Sequence, residues 1–261
     1  VLCKWRKVCS RHTLKDELDE RRGEGFISLL IHDRCHTLRK GIDDPRGREV
    51  MKVLELFAGS CTFSRTAKEH GHETYTIDIV DNKGINMVED LLYVTPQKIP
   101  FKPDVVWASP PCTTFSVASI GYHWQGGHRA YIPKTSKAYI GLALVKKTLE
   151  IMEYFQPDFW YLENPRGLLR KLPVVKDLPI RNTISFCKYG DIRMKPTDIW
   201  TNDESWIPRE MCKNGNPDCH HERAPRGSRT GTQGLKGSYE RGILPVELCQ
   251  EVVKNFSGIK C

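Results

Sequence analysis

The sequence predicts an α/β fold: a largely parallel sheet with helices on its faces and ligands gathered at the C-terminal ends of its strands. Three observations carry this. From Met51 to about residue 200, short β-branched apolar runs alternate with stretches of helical period. The first such run, "KVLELF", opens directly into the tight turn "AGSCTF" around Gly59. The chain's 261 residues, 39% hydrophobic and 28% charged, are enough to enclose a substantial core.

Residues 1–50 stand apart as a charged appendage, dense in "KDELDERRGEG" and closing on the turn-rich "GIDDPRGREV". Cys3, Cys9, His12, Cys35 and His36 within it match no common zinc-module spacing and read as solvated or lightly packed residues. The core is expected over 51–200. "KVLELF" is a buried strand, and Ser64–Gly71 a helix that glycine ends. "ETYTIDI" alternates as a second strand, and "DVVWAS", after the proline-bounded "IPFKP", is another. Residues 136–155 place Ile140, Leu144, Thr148, Ile151 and Phe155 along one helical face. "FWYLENP" is a strand closed by proline, and "DIRMKPTDIWTN" a later strand that Pro196 interrupts. From about Thr201 to Gly242 the chain becomes rich in Gly, Pro, Arg and His and loses its period. That marks 201–242 as a loop-rich insertion before a return to the core over 243–261.

The net charge of +8 favours a polyanionic partner without requiring one. Ten cysteines spread over so long a chain, with no signal-peptide pattern and no apolar run long enough to span a bilayer, predict a reduced, cytoplasmic protein. A monomer with no membrane partner is expected.

The turn after the first strand brings backbone amides and a helix N-terminus toward a ligand. Asp78, nineteen positions beyond Gly59 at the end of the second strand, is placed to accept hydrogen bonds from ribose hydroxyls. The absence of a full G-x-G-x-x-G fingerprint argues against a dinucleotide. Asp90 reads either as an acceptor for an adenine amino group or as a helix cap.

In "WASPPCTTFS", Pro110 and Pro111 leave the turn before Cys112 few conformations. A thiol held there is inert packing, a zinc ligand or a nucleophile. A second strand decides: "FWYLENP" brings Glu163 to the same sheet edge. A thiolate that adds to an electron-poor ring carbon, beside an acid that protonates a ring nitrogen, is the chemistry that makes C5 of cytosine nucleophilic.

These residues resemble the DNA (cytosine-5) methyltransferases. "LELFAGSCTFS" is similar to their cofactor turn, "SPPCTTFS" to their Pro-Cys loop and "LENP" to their Glu-Asn strand end. The resemblance covers most of 51–200 and resumes weakly near "ERGILPVELC". It implies a Rossmann-like S-adenosylmethionine-dependent methyltransferase fold with a small loop-rich recognition insertion. It also implies Cys112 as nucleophile, Glu163 as partner acid, and a cytosine flipped out of double-stranded DNA. The implied cofactor-binding residues are Leu56, Phe57, Ala58, Gly59, Ser60, Cys61, Asp78, Ile79, Asp90, Leu91 and Pro110. Ser109, Pro111 and Asn164 fall on the substrate side. Ser109 also stands where adenine-N6 enzymes carry the acid of their Pro-Pro motif, which argues against amino methylation. Three departures stand out: Cys61 replaces a usual second glycine, Pro165 a usual valine, and "YGDIRMKPTDIW" a Gln-x-Arg-x-Arg segment. Arg193 and Lys195 are therefore read as the groups that hold the flipped base or its phosphates, Arg193 as part of the catalytic set. The short recognition region resembles phage-like members, which would place the protein in the host cytoplasm.

Within the insertion, Cys212, Cys219 and His221 lie close in sequence, and Cys187 precedes them. They form a Cys3His zinc site or are merely neighbours in a loop. Arg223, Arg226, Arg229, Lys236 and Arg241, spaced by glycines, fit a segment that orders on DNA phosphates, with Arg226 and Arg229 as contacts. Two other readings remain open at this level. One is the same fold using carboxy-S-adenosylmethionine to make 5-carboxymethylcytosine, and the other a catalytically idle, zinc-containing DNA-binding module.

Overall fold

Apolar runs buried on both faces build a central sheet, and its chain order decides where a site forms. In the computed structural model, residues 49–258 are described apart from 128–129, 214, 223–234 and 236. Arg223, Arg226, Arg229, Lys236 and the cysteines and histidines of the N-terminal appendage lie outside the described residues. In chain order the first elements are β1 (Lys52–Leu56), α1 (Thr62–Glu69), β2 (Glu73–Asp78), β3 (Met87–Val88) and β4 (Val105–Ala108). Next come α2 (Ile120–His123), β5 (Trp124–Gln125), β6 (Ile132–Pro133), α3 (Ser136–Phe155) and β7 (Phe159–Pro165). β8 (Ile180–Ser185), β9 (Pro196–Thr201), α4 (Ser238–Gly242) and α5 (Val246–Phe256) complete the set.

The seven-stranded sheet runs β3-β2-β1-β4-β7-β9-β8. All neighbours from β3 to β7 are parallel, and β9 alone runs against both β7 and β8. This is a Rossmann-like arrangement. Chain order reverses between β1 and β4, and such a reversal opens a crevice beyond the carboxyl ends of those two strands.

Alternation along the strands sends side chains to two separate cores. Leu54, Leu56, Val106, Ala108, Trp160 and Leu162 pack on the α3 side. Val53, Val105, Trp107 and Tyr161 pack with Phe63 of α1 and Leu248, Val252 and Phe256 of α5 on the other.

Four expectations need correction. Ile140 is exposed, because the buried stripe of α3 continues back from Leu144 through Gly141 and Ala138. A side chain at Gly141 would stand 2.8 Å from Thr114 Oγ1, so a glycine lets the 112–116 loop rest on the helix. Helix α1 starts at Thr62, ahead of Ser64, because the buried Glu55 carboxylate accepts the Ser64 N–H at 2.8 Å and satisfies its first turn. Pro196 opens β9 and does not interrupt it. The core also extends past Thr201: Asp203 and Trp206 are buried, and Tyr161 Oη donates to Asp203 Oδ2 at 2.6 Å. The chain is irregular from Asn202 on, but it stays packed against the core as far as Trp206.

Candidate active site

Three residues of the first turn have left-handed backbone: Phe57 at φ 58°, Gly59 at 49° and Cys61 at 54°. Only glycine adopts this without strain, so the turn stores strain at two positions. It is tied to the end of β2. Ala58 N–H donates to Ile77 O at 3.1 Å, and Gly59 N–H to Asp78 Oδ2 at 2.9 Å. Asp78 Oδ1 accepts from Val80 N–H at 2.8 Å. Each Asp78 oxygen keeps acceptor capacity for a diol. Beside it Ile79 is 65% exposed, an uncovered apolar side chain suited to the face of a flat ring. Asp90 Oδ1 caps the next turn through Leu92 N–H at 3.0 Å, which leaves Oδ2 open. Leu91 and Pro110 are buried nearby in the chain trace of this edge. Two carboxylates flanking an exposed aliphatic residue at a crevice fit a nucleoside-bearing cofactor. Cys61 packs inward, its thiol 3.9 Å from Lys83 O, and burial pushes it up to about 11. A neutral thiol has no charge with which to select a carboxylated donor.

The second half of the crevice joins β4 to β7. Ala108 lies opposite Leu162, so Ser109 and Glu163 follow side by side. Asn164 Nδ2 donates to Pro110 O at 2.9 Å and locks the proline turn to the strand carrying the acid. Beyond the prolines, Phe115 and Ser116 N–H both donate to Cys112 O at 3.0 Å. Trp124 Nε1 donates to Thr114 O, and Leu168 N–H to Phe115 O, each at 2.8 Å. The loop around Cys112 is thereby held from three sides.

Burial, and then the Glu163 charge, push the Cys112 thiol up, while Lys195 pulls it down. Burial likewise raises Glu163, against Lys195, a Ser109 hydrogen bond and Arg193. Burial lowers Lys195, which Glu163 and Cys112 oppose. Thiol, acid and ammonium therefore share one electrostatic site. Glu163 Oε1 is buried with no hydrogen-bond partner among the described residues, as are Thr114 Oγ1 and Asn164 Oδ1. An orphaned oxygen on a buried acid is costly unless a ligand completes it.

The structure redistributes several expected roles. Arg193 does not face a base. Its Nε and Nη2 engage Asp191, and its Nη1 and Nη2 donate to the carbonyls of Glu240, Arg241 and Ile243. A guanidinium has five N–H groups, and these are divided between Asp191 and the carbonyls of the return segment. Lys195, over the Phe186 ring and donating to Arg241 O at 2.9 Å, is the cation near the acid. Asn164 is fully buried and positions the proline turn through its Nδ2. Ser109 accepts from Trp107 Nε1 at 3.0 Å, and Pro111 is exposed at the lip. Arg170 and Asp198 escaped sequence reasoning. They pair at 2.7 Å behind β7, with Thr183 Oγ1 on the same carboxylate oxygen at 2.8 Å. The signal was an acid inside the apolar strand "PTDIWT".

A groove next to the Cys112 loop is lined by Val117, Ile120, Tyr131, Arg166, Gly167 and Lys171. The four expected metal ligands, Cys187, Cys212, Cys219 and His221, come together with their ligand atoms within 4.8 Å of one another. Among the described residues, no helix is long and apolar enough to cross a membrane.

No family model matches the chain. It is 30% identical over 201 residues to a probable DNA (cytosine-5)-methyltransferase of Frog virus 3 (isolate Goorha), an alignment that takes in 73% of this chain and 92% of that protein. Likeness to solved structures is fainter. The Dnmt2 methyltransferase of S. pombe matches with a TM-score of 0.41 and 13% identity, over 59% of this chain and 49% of that one. The Entamoeba histolytica methyltransferase EhMeth matches with a TM-score of 0.45 and 14% identity, over 64% and 58%. The chain thus spans about half the length of these solved proteins.

Proposed function

Because the chain belongs to the DNA (cytosine-5)-methyltransferase family, we propose that it methylates C5 of a cytosine flipped out of double-stranded DNA, through a covalent bond between Cys112 and C6. One observation carries this reading: Cys112 and Glu163 stand on adjacent strand ends, and the acid's Oε1 is buried with no partner.

Glu163, raised by burial, holds a proton that it gives to N3 of the ring as Cys112 Sγ bonds to C6. The ring then carries no net negative charge, and C5 becomes the nucleophile. S-adenosylmethionine would supply an electrophilic methyl group, held by Asp78, Ile79, Asp90 and the strained turn from Phe57 to Cys61. Loss of the C5 proton to water, breakage of the Sγ–C6 bond and return of the N3 proton to Glu163 restore the neutral aromatic ring and free the thiolate. Lys195 favours the thiolate form throughout. The groove that carries Arg166 and Lys171, together with the glycine-spaced arginines after residue 222, supplies cations for DNA phosphates.

The test is incubation with duplex DNA containing 5-fluorocytosine and S-adenosylmethionine. The expected outcome is a covalent protein–DNA complex from the wild-type chain and none from Cys112→Ala. Mass spectrometry of nucleosides from unmodified DNA should show 5-methylcytosine. A carboxymethyl product would replace the donor, and turnover by Cys112→Ala would end the covalent mechanism.

A further inference from the structure

We infer that Cys187, Cys212, Cys219 and His221 bind one structural Zn2+ that fastens the insertion to the sheet. The four ligand atoms lie within 4.8 Å of one another, and Cys212 Sγ is 3.7 Å from His221 Nδ1. A tetrahedral zinc with bonds of about 2.3 Å to sulfur and about 2.0 Å to nitrogen has an S–N edge of about 3.6 Å. The remaining atoms need to close by no more than about an ångström to complete the tetrahedron. Three thiols and an imidazole are a soft, closed donor set that suits zinc and leaves no position for substrate.

The surroundings fit a metal. Cys187 lies in the turn directly after β8, and Cys212 N–H donates to Ser185 Oγ at 3.1 Å, so two ligands are anchored to the sheet. Asn216 Nδ2 lies 3.8 Å from Cys212 Sγ, an amide aimed at a sulfur as in the outer shells of thiolate sites. The loop from Cys212 to His221 has no helix or strand of its own. It closes through Asn216 N–H to Lys213 O and Cys219 N–H to Asn216 O. Three of the four ligands are buried, under a loop that supplies few apolar side chains to hold it there. A metal replaces the core that such a segment lacks.

The site also reaches the active centre. Glu222, next after His221, bridges to Arg193, and its N–H donates to Ile192 O at 2.9 Å. The metal therefore fixes both the segment before β9 that carries Arg193 and Lys195 and the point where the basic segment leaves the core.

The full-length chain, purified without added chelator, should contain one zinc per molecule by elemental mass spectrometry. Chelator-stripped chain titrated with Co2+ should give the visible and charge-transfer absorption of tetrahedral, thiolate-bound cobalt. Cys219→Ser, which alters the ligand with most exposure, should bind zinc more than about 100-fold more weakly, beyond the range for losing an outer-shell partner. Cys112→Ser removes a thiol from the active site and should keep its zinc. The inference falls if the folded wild-type chain takes up neither metal, if its cobalt spectrum is octahedral, or if Cys219→Ser keeps wild-type affinity. Should Cys219→Ser not fold, the wild-type cobalt spectrum decides alone.

Discussion

Glu163 is an acid kept from water, and burial raises its pKa, which at the scale of single residues gives the proposed mechanism its pH dependence. Glu163→Gln keeps the volume and removes the proton. It should lower kcat more than tenfold, at least about 1.4 kcal/mol of transition-state stabilisation, and a smaller drop in single-turnover kinetics makes Glu163 structural. The productive pair is a thiolate beside a protonated acid, one proton shared between two groups that are both raised. Such a pair is most populated between its two apparent pKa values. The rate of kcat/KM should therefore rise through the lower one, mainly Glu163, and fall above the upper one, mainly Cys112. Lys195 pulls both down, so Lys195→Met should move both limbs to higher pH. Limbs that stay in place would take Lys195 out of the pair.

Among the elements, the catalytic loop depends on glycine for close approach. A methyl group at Gly167 would strike the Phe115 carbonyl oxygen, to which Leu168 N–H donates at 2.8 Å. Gly167→Ala should displace the Cys112 loop and cut activity more than tenfold, with a fall of only a few degrees in melting temperature. Loss of stability without loss of activity would show that the loop tolerates the shift. Strands β1, β4 and β7 were legible because a strand buried in a parallel sheet writes a nearly continuous apolar run, and β2 because its β-branched residues alternate. The β8 segment "IRNTIS" was not, since among the described residues it pairs with β9 alone, at the sheet edge, and carries the polar Arg181, Asn182 and Thr183 in succession. Helix α5 hid its stripe of Leu248, Cys249, Val252, Val253 and Phe256 behind glutamates and a lysine. The approach of the Cys112 loop to the Glu163 strand, and the gathering of Cys187, Cys212, Cys219 and His221, were legible from residue type and order. Arg193 was assigned the wrong task because the carbonyls that occupy it arrive from about 47–50 residues further on, a fact of folding that no local pattern encodes.

For the whole molecule, stability should depend on pH through Glu55. Burial raises its pKa from 4.5 to about 7, with the hydrogen bond from Ser64 opposing. Between those values the folded chain holds a proton that the unfolded chain has released, so stability falls as pH rises through this window. The loss reaches about 3 kcal/mol above the folded value. Glu55→Gln should abolish that slope, since its amide oxygen still accepts from Ser64. The fall in urea midpoint from pH 5 to pH 8 should then be smaller for the variant than for the wild type; parallel behaviour of the two would clear Glu55. The packing of α1 on α5 bears on how the chain reaches this state. His72 Nε2 meets Ser257 Oγ at 2.7 Å across 185 positions of sequence, and Phe63 lies 6.5 Å from Phe256. A ribosome adding about 5–20 residues per second needs roughly 10–40 s to travel that far. Once Glu163 has been made, and until α5 follows, Phe63 and Trp107 remain uncovered on a nascent sheet that already carries Cys112 and Glu163, so the chain is most prone to aggregate when most of its sheet is in place and chaperones have most to hold.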